Sequence, residues 1–355
     1  MSVAQLLGNL PAGYEIAAKE KKALIRCRGV KSAGDLMTLA LFHLLNGCSL
    51  LEISEIARLT KMGEMSDVAF MNRFAQCAEW FRWIGQRLLG SEVADYQKSE
   101  SFKDYRIVGV DASDVTEKGR SGRLYHLHYA LDIFSMHSEQ YKITSQKTGE
   151  TLTNFDIGRD WLVLGDRAYG TLTGIEHCLN SGANFILRIR YGAFKIFDKD
   201  GQEIALLDQL SDIDSETSKN IPVFIKLPKT GIIPARICAT KIPDDKLPQV
   251  ERKIRRRDQK RQIKASDESV DMRKYVVLIT TLPDSVAAKE IIGLYRYRWQ
   301  IELYFKRLKG LLDVGELPKR REDSINAWLQ GKIMLALLIE TVIAKVAFFP
   351  EGNSG

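Results

Sequence analysis

Along residues 1–98 the apolar positions recur three and four apart, which predicts an all-helical region. Pro11 and Gly13 end a short first helix. Ser32 opens a strongly apolar one through Leu36, Leu39, Leu41, Leu44 and Leu45, and Asn46-Gly47 stops it. Ser49-Leu-Leu-Glu52 is a capping box opening a helix that runs to about Leu59. After a turn around Thr60 to Met65, Ser66 caps a helix with Val68, Phe70, Met71, Phe74, Trp80 and Phe81 inward. The last two helices suggest a helix-turn-helix with Arg58, Lys61 and Arg73 near its surface; plain helix packing explains the pair equally well.

Gly90 to Ser101 is polar and breaks the helical period, which places a domain boundary there. Beyond it the pattern turns to strands. Tyr105 to Asp111 is a short apolar strand with an acid at its end. Leu124–Phe134 and Glu139–Ser145 follow as strands joined by a polar turn at Ser135 to Ser138. Gly149 to Phe155 predicts a short helix, and Trp161–Gly165 a buried strand that again ends in an acid, Asp166. A helix from about Thr171 to Asn180 then leads to a strand at Asn184–Arg190, a parallel neighbour by the βα alternation. Residues 191–273 carry short extended runs (Ala193–Phe197, Val223–Leu227, Ala235–Ala239) split by Gly and Pro. Tyr275–Thr281 returns as an apolar strand, and one helix starts near Val286. In it Leu294, Tyr297, Ile301, Tyr304, Phe305, Leu308 and Leu312 share a stripe. The last helix, Arg320–Ala347, is apolar nearly all round through Trp328, Ile333, Leu335, Leu337, Leu338 and Val342, and so is either deeply packed or an interface.

Three groups of residues add chemistry to this outline. Tyr295, Arg298, Glu302 and Lys309 fall on a second stripe of the same helix. One acid among two cations and a phenol suits a hard metal flanked by phosphate, although a salt-bridged amphipathic face has the same pattern. Asp111 and Asp166 each end a buried strand, where a carboxylate is costly unless it binds something; a turn Asp capping a loop is the other reading of Asp111. Asp166 lies 55 residues after Asp111 and Glu302 a further 136 on, more than one strand and one helix need. The excess carries a basic run, Arg252, Lys253, Arg255, Arg256, Arg257, Lys260, Arg261 and Lys264, either a solvated helix face or a phosphate contact.

The spacing Tyr295, Arg298, Glu302, Lys309, with its local text Arg298 to Lys309, resembles the signature of the insertion-sequence-4 type of DDE transposase. Asp111-Ala-Ser113 is similar to that family's Asp-x-Thr/Ser. Asp166-Arg-Ala-Tyr-Gly170 resembles its second-acid motif, with Ala168 in place of the usual Gly. The resemblance implies an α/β chain: an RNase H-like mixed-sheet catalytic core with a β-rich insertion, preceded by an all-α N-terminal domain. The division is then 1–98 as a DNA-binding domain, 99–190 and 274–318 as the core, 191–273 as the insertion and 319–355 as a C-terminal helix. It implies Asp111, Asp166 and Glu302 as ligands of two Mg²⁺ ions, with Mn²⁺ able to substitute. Tyr295, Arg298 and Lys309 would grip phosphates, Trp299 would stack on DNA, and Arg255, Arg256, Arg257, Lys260 and Arg261 would contact the backbone. The expected activity is cleavage of double-stranded DNA at element ends followed by strand transfer, by a homodimer. The alternatives are an RNase H-like nuclease or resolvase that cuts without joining, and a non-catalytic DNA-binding repressor.

Composition changes this picture little. The 355 residues carry a net charge of +7 and a pI near 9.0, compatible with a polyanionic partner. Cys27, Cys48, Cys77, Cys178 and Cys238 are scattered without metal spacing and read as reduced, buried thiols of a cytoplasmic protein, nucleoid-associated when on DNA. His126 and His128 alternate in a strand and read as structural. There is no signal peptide, no apolar run of the roughly 18 residues a membrane span needs, and no motif for a small-molecule cofactor. The ending Phe-Phe-Pro-Glu-Gly suggests a compact family member or a truncated copy.

Overall fold

The computed structural model describes residues 2–88, 98–117, 123–135, 138–262, 266–312, 316–317 and 321–347. Most of the stretch assigned to the domain boundary, part of the 135–138 turn, and the chain's last eight residues, 348–355, lie outside them.

Helices open the chain: α1 (Val3–Leu7), α2 (Tyr14–Glu20), α3 (Ala33–Asn46), α4 (Leu50–Leu59), α5 (Asp67–Ala75) and α6 (Ala78–Leu88). Their starts follow from the expected caps. The hydroxyls of Ser32, Ser49 and Ser66 accept the backbone N–H of Asp35, Glu52 and Ala69, and Glu52 completes the box by accepting Ser49 N–H at 2.7 Å. Gly47, at φ 66°, ends α3 in the left-handed conformation. The single helix expected after Ser66 is instead two. The Gln76 N–H bonds back to Arg73, the chain turns at Gln76–Cys77, and α6 leaves in a new direction. That turn puts Trp80, Phe81, Ile84 and Leu88 in the core and leaves Val68, expected inward, 55% exposed.

The rest runs β1 (Arg106–Glu117), β2 (Arg123–Asp132), β3 (Ser138–Ser145), β4 (Trp161–Gly165), α7 (Leu172–Asn180), β5 (Asn184–Arg188), β6 (Ile196–Phe197), β7 (Lys219–Leu227) and β8 (Gly231–Lys241). Then come α8 (Leu247–Arg261), α9 (Asp267–Asp271), β9 (Tyr275–Thr280), α10 (Ala288–Tyr295), α11 (Trp299–Leu312), β10 (Glu316–Leu317) and α12 (Glu322–Ala347). The helix expected at Gly149–Phe155 is only a 3₁₀ turn, Leu152–Asn154.

One ten-stranded sheet collects every strand, in the order β3-β2-β1-β4-β5-β9-β8-β7-β6 with β10 beside β1. β1, β2 and β3 form an antiparallel meander; β4 is parallel to β1, and β5 is parallel to β4. A meander followed by two parallel strands around a helical crossover is the RNase H-like core. β4 is buried at all five positions, as a central parallel strand covered on both faces should be. The β-rich insertion continues this sheet: β9 pairs antiparallel with β5, and β8 and β7 carry the ladder outward to β6.

The last helix is deeply packed. The segment Asp323–Ile343 is long and apolar enough to cross a membrane by length and composition, a possibility the sequence reading dismissed, yet 83% of its apolar window is buried within the protein. It packs on α6, α5 and α3, and a side chain at Gly331 would come within 2.8 Å of Leu44. Core packing therefore accounts for most of its apolar length, with Ile343 exposed near its end. Cys77, Cys178 and Cys238 are buried as expected, but Cys27 is exposed and Cys48 half-buried, because both lie in loops between the first helices.

A buried polar network ties α12 to the sheet and to α11. Tyr129 Oη on β2 shares a 2.7 Å hydrogen bond with Tyr304 Oη on α11; Tyr304 donates to Glu340 on α12, and Ser138 Oγ donates to the same carboxylate at 3.0 Å. Burial pushes Glu340 up to about 7 against these donors. A carboxyl whose folded-state value is raised stabilises the fold fully below its unfolded value, and that contribution is lost as pH rises through the folded value. Unfolding free energy should therefore fall between about pH 4.5 and pH 7–8. Glu340→Gln should remove up to about 3 kcal/mol of that fall. Urea midpoints across this range for both proteins check it; parallel curves would mean that Glu340 is not the titrating group.

Candidate functional site

The site forms where β1 outruns β4. The two strands pair only as far as Gly109 opposite Leu164, while β1 continues along β2 to Thr116. Asp111 therefore lies within β1, not at its end as the sequence suggested, and it stands just beyond the last β4 partner. Asp166 follows directly on β4, so the two acids border one fork in the sheet. At Gly109 a Cβ would lie 2.5 Å from Ile133 Cδ1 and at an ordinary 3.7 Å from Ile301 Cβ, so the glycine makes room for Ile133 beside the contact of α11 with β1. Ile301, Tyr304, Phe305 and Leu308 turn into the core, and Glu302 on the neighbouring position of α11 faces outward.

The expected single helix through Tyr295 and Lys309 is broken. Residues Arg296–Arg298 form a 3₁₀ turn between α10 and α11. At about 120° per residue, that turn shifts the phase of what precedes it. Tyr297, expected in the core stripe, is 49% exposed and packs its ring at 5.6 Å from Phe134. Tyr295 is buried, with its hydroxyl donating to the Gly165 carbonyl at 3.3 Å at the end of β4. Trp299 is exposed at the start of α11, and Lys309 is exposed in its last turn. The side chain of Leu312 lies outside the described residues.

Arg298 joins these parts. Its guanidinium contacts Glu302 one turn on and approaches Asp111 Oδ2 at 3.8 Å, with the Tyr295 ring beneath it at 5.9 Å. Burial pushes the Asp111 carboxyl up to about 7; the charges of Asp166 and Glu302 push the same way, while the Ala112 N–H and Arg298 oppose them. Asp111 thus senses both other acids and one cation. Asp166 is held by its turn, where Ala168 N–H donates to Oδ1 at 2.8 Å. Among the described residues, no three His, Cys, Asp or Glu side chains lie close enough together to hold a single ion. The donor type nonetheless fits a hard divalent cation: oxygen ligands only, one of them desolvated beside two like charges.

Two further residues stand here that the sequence reading passed over. Arg188 ends β5, and the register Gly165 opposite Leu187 sets it beside Asp166. Its Nε is buried without a hydrogen-bond partner. Burial lowers its pKa, Tyr295 and Asp166 counter this, and Arg298 adds to the lowering. Tyr169 is fully buried with an unpartnered hydroxyl, and its phenol is raised by burial and then by Asp111, Glu150 and Asp166. The sequence carried no signal for Arg188, because the one-residue offset that sets it beside Asp166 comes from the pairing of β5 with β4.

Away from the fork, α8 makes the basic run a helix. Arg252, Arg255 and Arg256 are exposed on it, and the side chains of Arg257, Lys260 and Arg261 lie outside the described residues. Asp258 of the same helix pairs with Arg273 at 2.8 Å, which anchors α8 beside β9. His126 and His128 stack at 5.7 Å within the sheet; burial lowers His128 to about 4, and its Nε2 lies 2.8 Å from Thr144 Oγ1.

Residues 102–338 match the family described as "Transposase DDE domain". The chain is 27% identical over 351 residues to the "Putative transposase InsL for insertion sequence element IS186A" of Escherichia coli (strain K12), covering 97% of this chain and 94% of that one. It is also 27% identical over 352 residues to the "Transposase for insertion sequence element IS421" of Escherichia coli, with the same coverage. These matches reach the DDE transposases as a whole; the narrower insertion-sequence-4 likeness rests on the signature residues alone.

The three-acid environment of Asp111 makes a direct prediction. Carboxyl-carbon NMR titration should place Asp111 lower in Glu302→Gln and in Asp166→Asn, since each removes a like charge, and higher in Arg298→Gln, which removes the cation. An Asp111 titration unmoved by all three would show that the acids do not share one field.

Proposed function

The chain belongs to the DDE transposase family, and on that premise we propose that it cuts double-stranded DNA at the ends of an insertion element and joins those ends to a target. The observation that carries this reading is the pairing of Arg298 with Asp111 and Glu302 at the open fork of an RNase H-like sheet, with Asp166 raising Asp111 from the other side of the fork. Divalent cations held by these acids would polarise the scissile phosphate and make water or a 3′-hydroxyl nucleophilic. Mg²⁺ is a hard cation of the kind these oxygen donors suit. That ion keeps several waters and takes one or two carboxylates together with substrate phosphate.

The chain's own residues then divide the work. Asp111 and Asp166 are fixed by strand and turn, so they set the position of the phosphate. Glu302, 57% exposed, is the acid with freedom to turn toward it. Arg188, beside Asp166, and Arg298, once released from Asp111 and Glu302, are the guanidinium groups suited to oxygens of a phosphodiester. Tyr295 props Arg298 from below, Lys309 extends the positive surface along α11, and exposed Trp299 offers a plane for an unstacked base. Arg255 and Arg256 of α8 add a second cationic surface for the flanking duplex. Pairing of two ends by a homodimer belongs to the proposal on the family resemblance alone, since α12 is packed inside the protein.

Glu302→Ala should lose single-turnover cleavage by orders of magnitude while DNA affinity holds or rises, because one negative charge near phosphate is gone. Lys309→Ala should instead weaken binding for every sequence and flatten the slope of log K against log[salt] by about 0.9. Wild-type cleavage of duplexes carrying the element's ends should require Mg²⁺ or Mn²⁺ and stop in EDTA. Full cleavage in EDTA, or near-wild-type cleavage by Glu302→Ala in Mg²⁺, would sink the assignment. Cleavage without joined products would leave a nuclease.

A further inference from the structure

One concave surface lies far from the acids along the chain. A shallow hollow of about 390 Å³ opens against α5, lined by Ala69, Asn72, Arg73 and Gln76 on one side and by Arg26 and Arg28 on the other. No acid lines it. Ala69, Asn72, Arg73 and Gln76 are spaced three, four and seven apart, so they form one stripe, which Gln76 continues in helical backbone one residue past the end of α5. Ala69, Asn72 and Gln76 are exposed, and Arg73 is half-buried.

The opposite wall is built into place. Lys31 N–H bonds to the Met62 carbonyl at 3.0 Å, and a side chain at Gly63 would strike the Gly29 carbonyl at 1.9 Å. The loop carrying Arg26 and Arg28 is therefore interlocked with the linker between α4 and α5. Arg73 reaches from the helix toward the Arg28 carbonyl at 3.5 Å. Arg321, before α12, donates to Asn72 Oδ1 at 2.9 Å, which fixes the amide and leaves its NH₂ as a donor. The linker from Leu59 to Asp67 is longer than the three or four residues of a helix-turn-helix, so the basic loop, not a tight turn, frames α5.

We propose that α5 is the base-reading helix of this protein: it enters the DNA major groove with Ala69, Asn72, Arg73 and Gln76 toward the base edges while Arg26 and Arg28 hold the flanking phosphates. A single helix fits the width of that groove. Arg, Asn and Gln are the side chains whose donor and acceptor pattern reads base edges there, and a small Ala leaves room for a thymine methyl. Unopposed guanidinium groups beside such a stripe match phosphates, which position without specifying. This deepens the transposase reading and rests on it only for the source of the DNA; the contact itself does not need the acids.

The test uses the full chain and two probes. On a fixed 30-base-pair duplex of arbitrary sequence, Arg26→Ala and Arg28→Ala should each weaken binding and flatten the salt slope by about 0.9. In selection from randomised 30-base-pair duplexes, the wild type should enrich a motif. Gln76→Ala and Gln76→Glu, which introduces a negative charge, should lose about tenfold discrimination at one position of it, and Gln76→Ala should keep the slope. Gln76 is exposed, and matched thermal melting confirms that each variant folds. Unchanged slopes in both Arg variants, or an unchanged motif in both Gln76 variants, overturn the proposal. So does binding of poly-glutamate that Arg26→Ala abolishes while DNA binding is untouched. A wild type that selects a motif through Gln76 but never cleaves in Mg²⁺ would sink the transposase reading and leave this one standing. Metal-dependent cleavage with α5 variants of unaltered motif would do the reverse.

Discussion

A carboxylate withdrawn from water at the open edge of a sheet needs a positive charge within a few ångströms, and Asp111 has Arg298 at 3.8 Å. Arg298 and the Ala112 N–H oppose the burial of this acid without cancelling it, and its carboxyl stays raised to about 7. Much of the surrounding architecture sets this distance. β1 must outrun β4 to free Asp111 from a lateral partner. Gly109 must lack a side chain for Ile133 to pack where α11 meets β1. The 3₁₀ turn must rotate Arg298 inward while Tyr295 is drawn down onto the Gly165 carbonyl. Relaxing any one of them would leave a desolvated acid beside two others of like charge.

The helical region is not an appendage to this centre. α12 passes among α3, α5 and α6, and its core is shared with Leu127, Tyr129 and Leu131 of β2 and with Ile301, Tyr304 and Phe305 of α11. The Tyr129–Tyr304–Glu340 network crosses that shared core with hydrogen bonds whose loss would leave buried polar groups unpaired. A helix bundle joined to the acidic face by packing and by a polar clasp holds its outer surface at a fixed place relative to the acids. In the proposed function, a DNA-selecting surface on the bundle would position the duplex for chemistry at the fork, with little orientational freedom lost in the process.

Local signals carried much of the outline. Serine caps, Asn46-Gly47, the five apolar residues before Asp166 and the helix after Thr171 each act within a few residues, and the elements fall where they point. What failed was the phase of long segments. A 3.6-residue period drawn through Tyr295 to Lys309 has no means of seeing a 3₁₀ turn, so Tyr297 was assigned to the wrong face. The same assumption merged α5 with α6 and hid Val68. Asp111 reads as a strand end because the apolar run stops there, although β2 continues to pair with β1 for five more residues. Whether α12 was core or interface depended on partners over 240 residues away in sequence, such as Leu44 and Phe81, which no window includes.

Arg298 also limits how the proposed reaction can proceed. Its guanidinium is already shared between Asp111 and Glu302, and a fork that is engaged on both sides cannot present two parallel donors to a phosphate. Arg298 can leave the acids only when other positive charge replaces it, since Asp111 would otherwise be left buried and unpaired. Glu302 is the partner that can yield first: it lies on the solvent side of α11, whereas Asp111 is fixed within a strand and receives the Ala112 N–H at 2.8 Å. Arg188 remains beside Asp166 with its Nε uncommitted, so one guanidinium is available to phosphate before Arg298 is released. In the proposed function, phosphate capture by Arg188 and release of Glu302 by Arg298 would come in that order, because the first needs no buried charge to be abandoned and the second does.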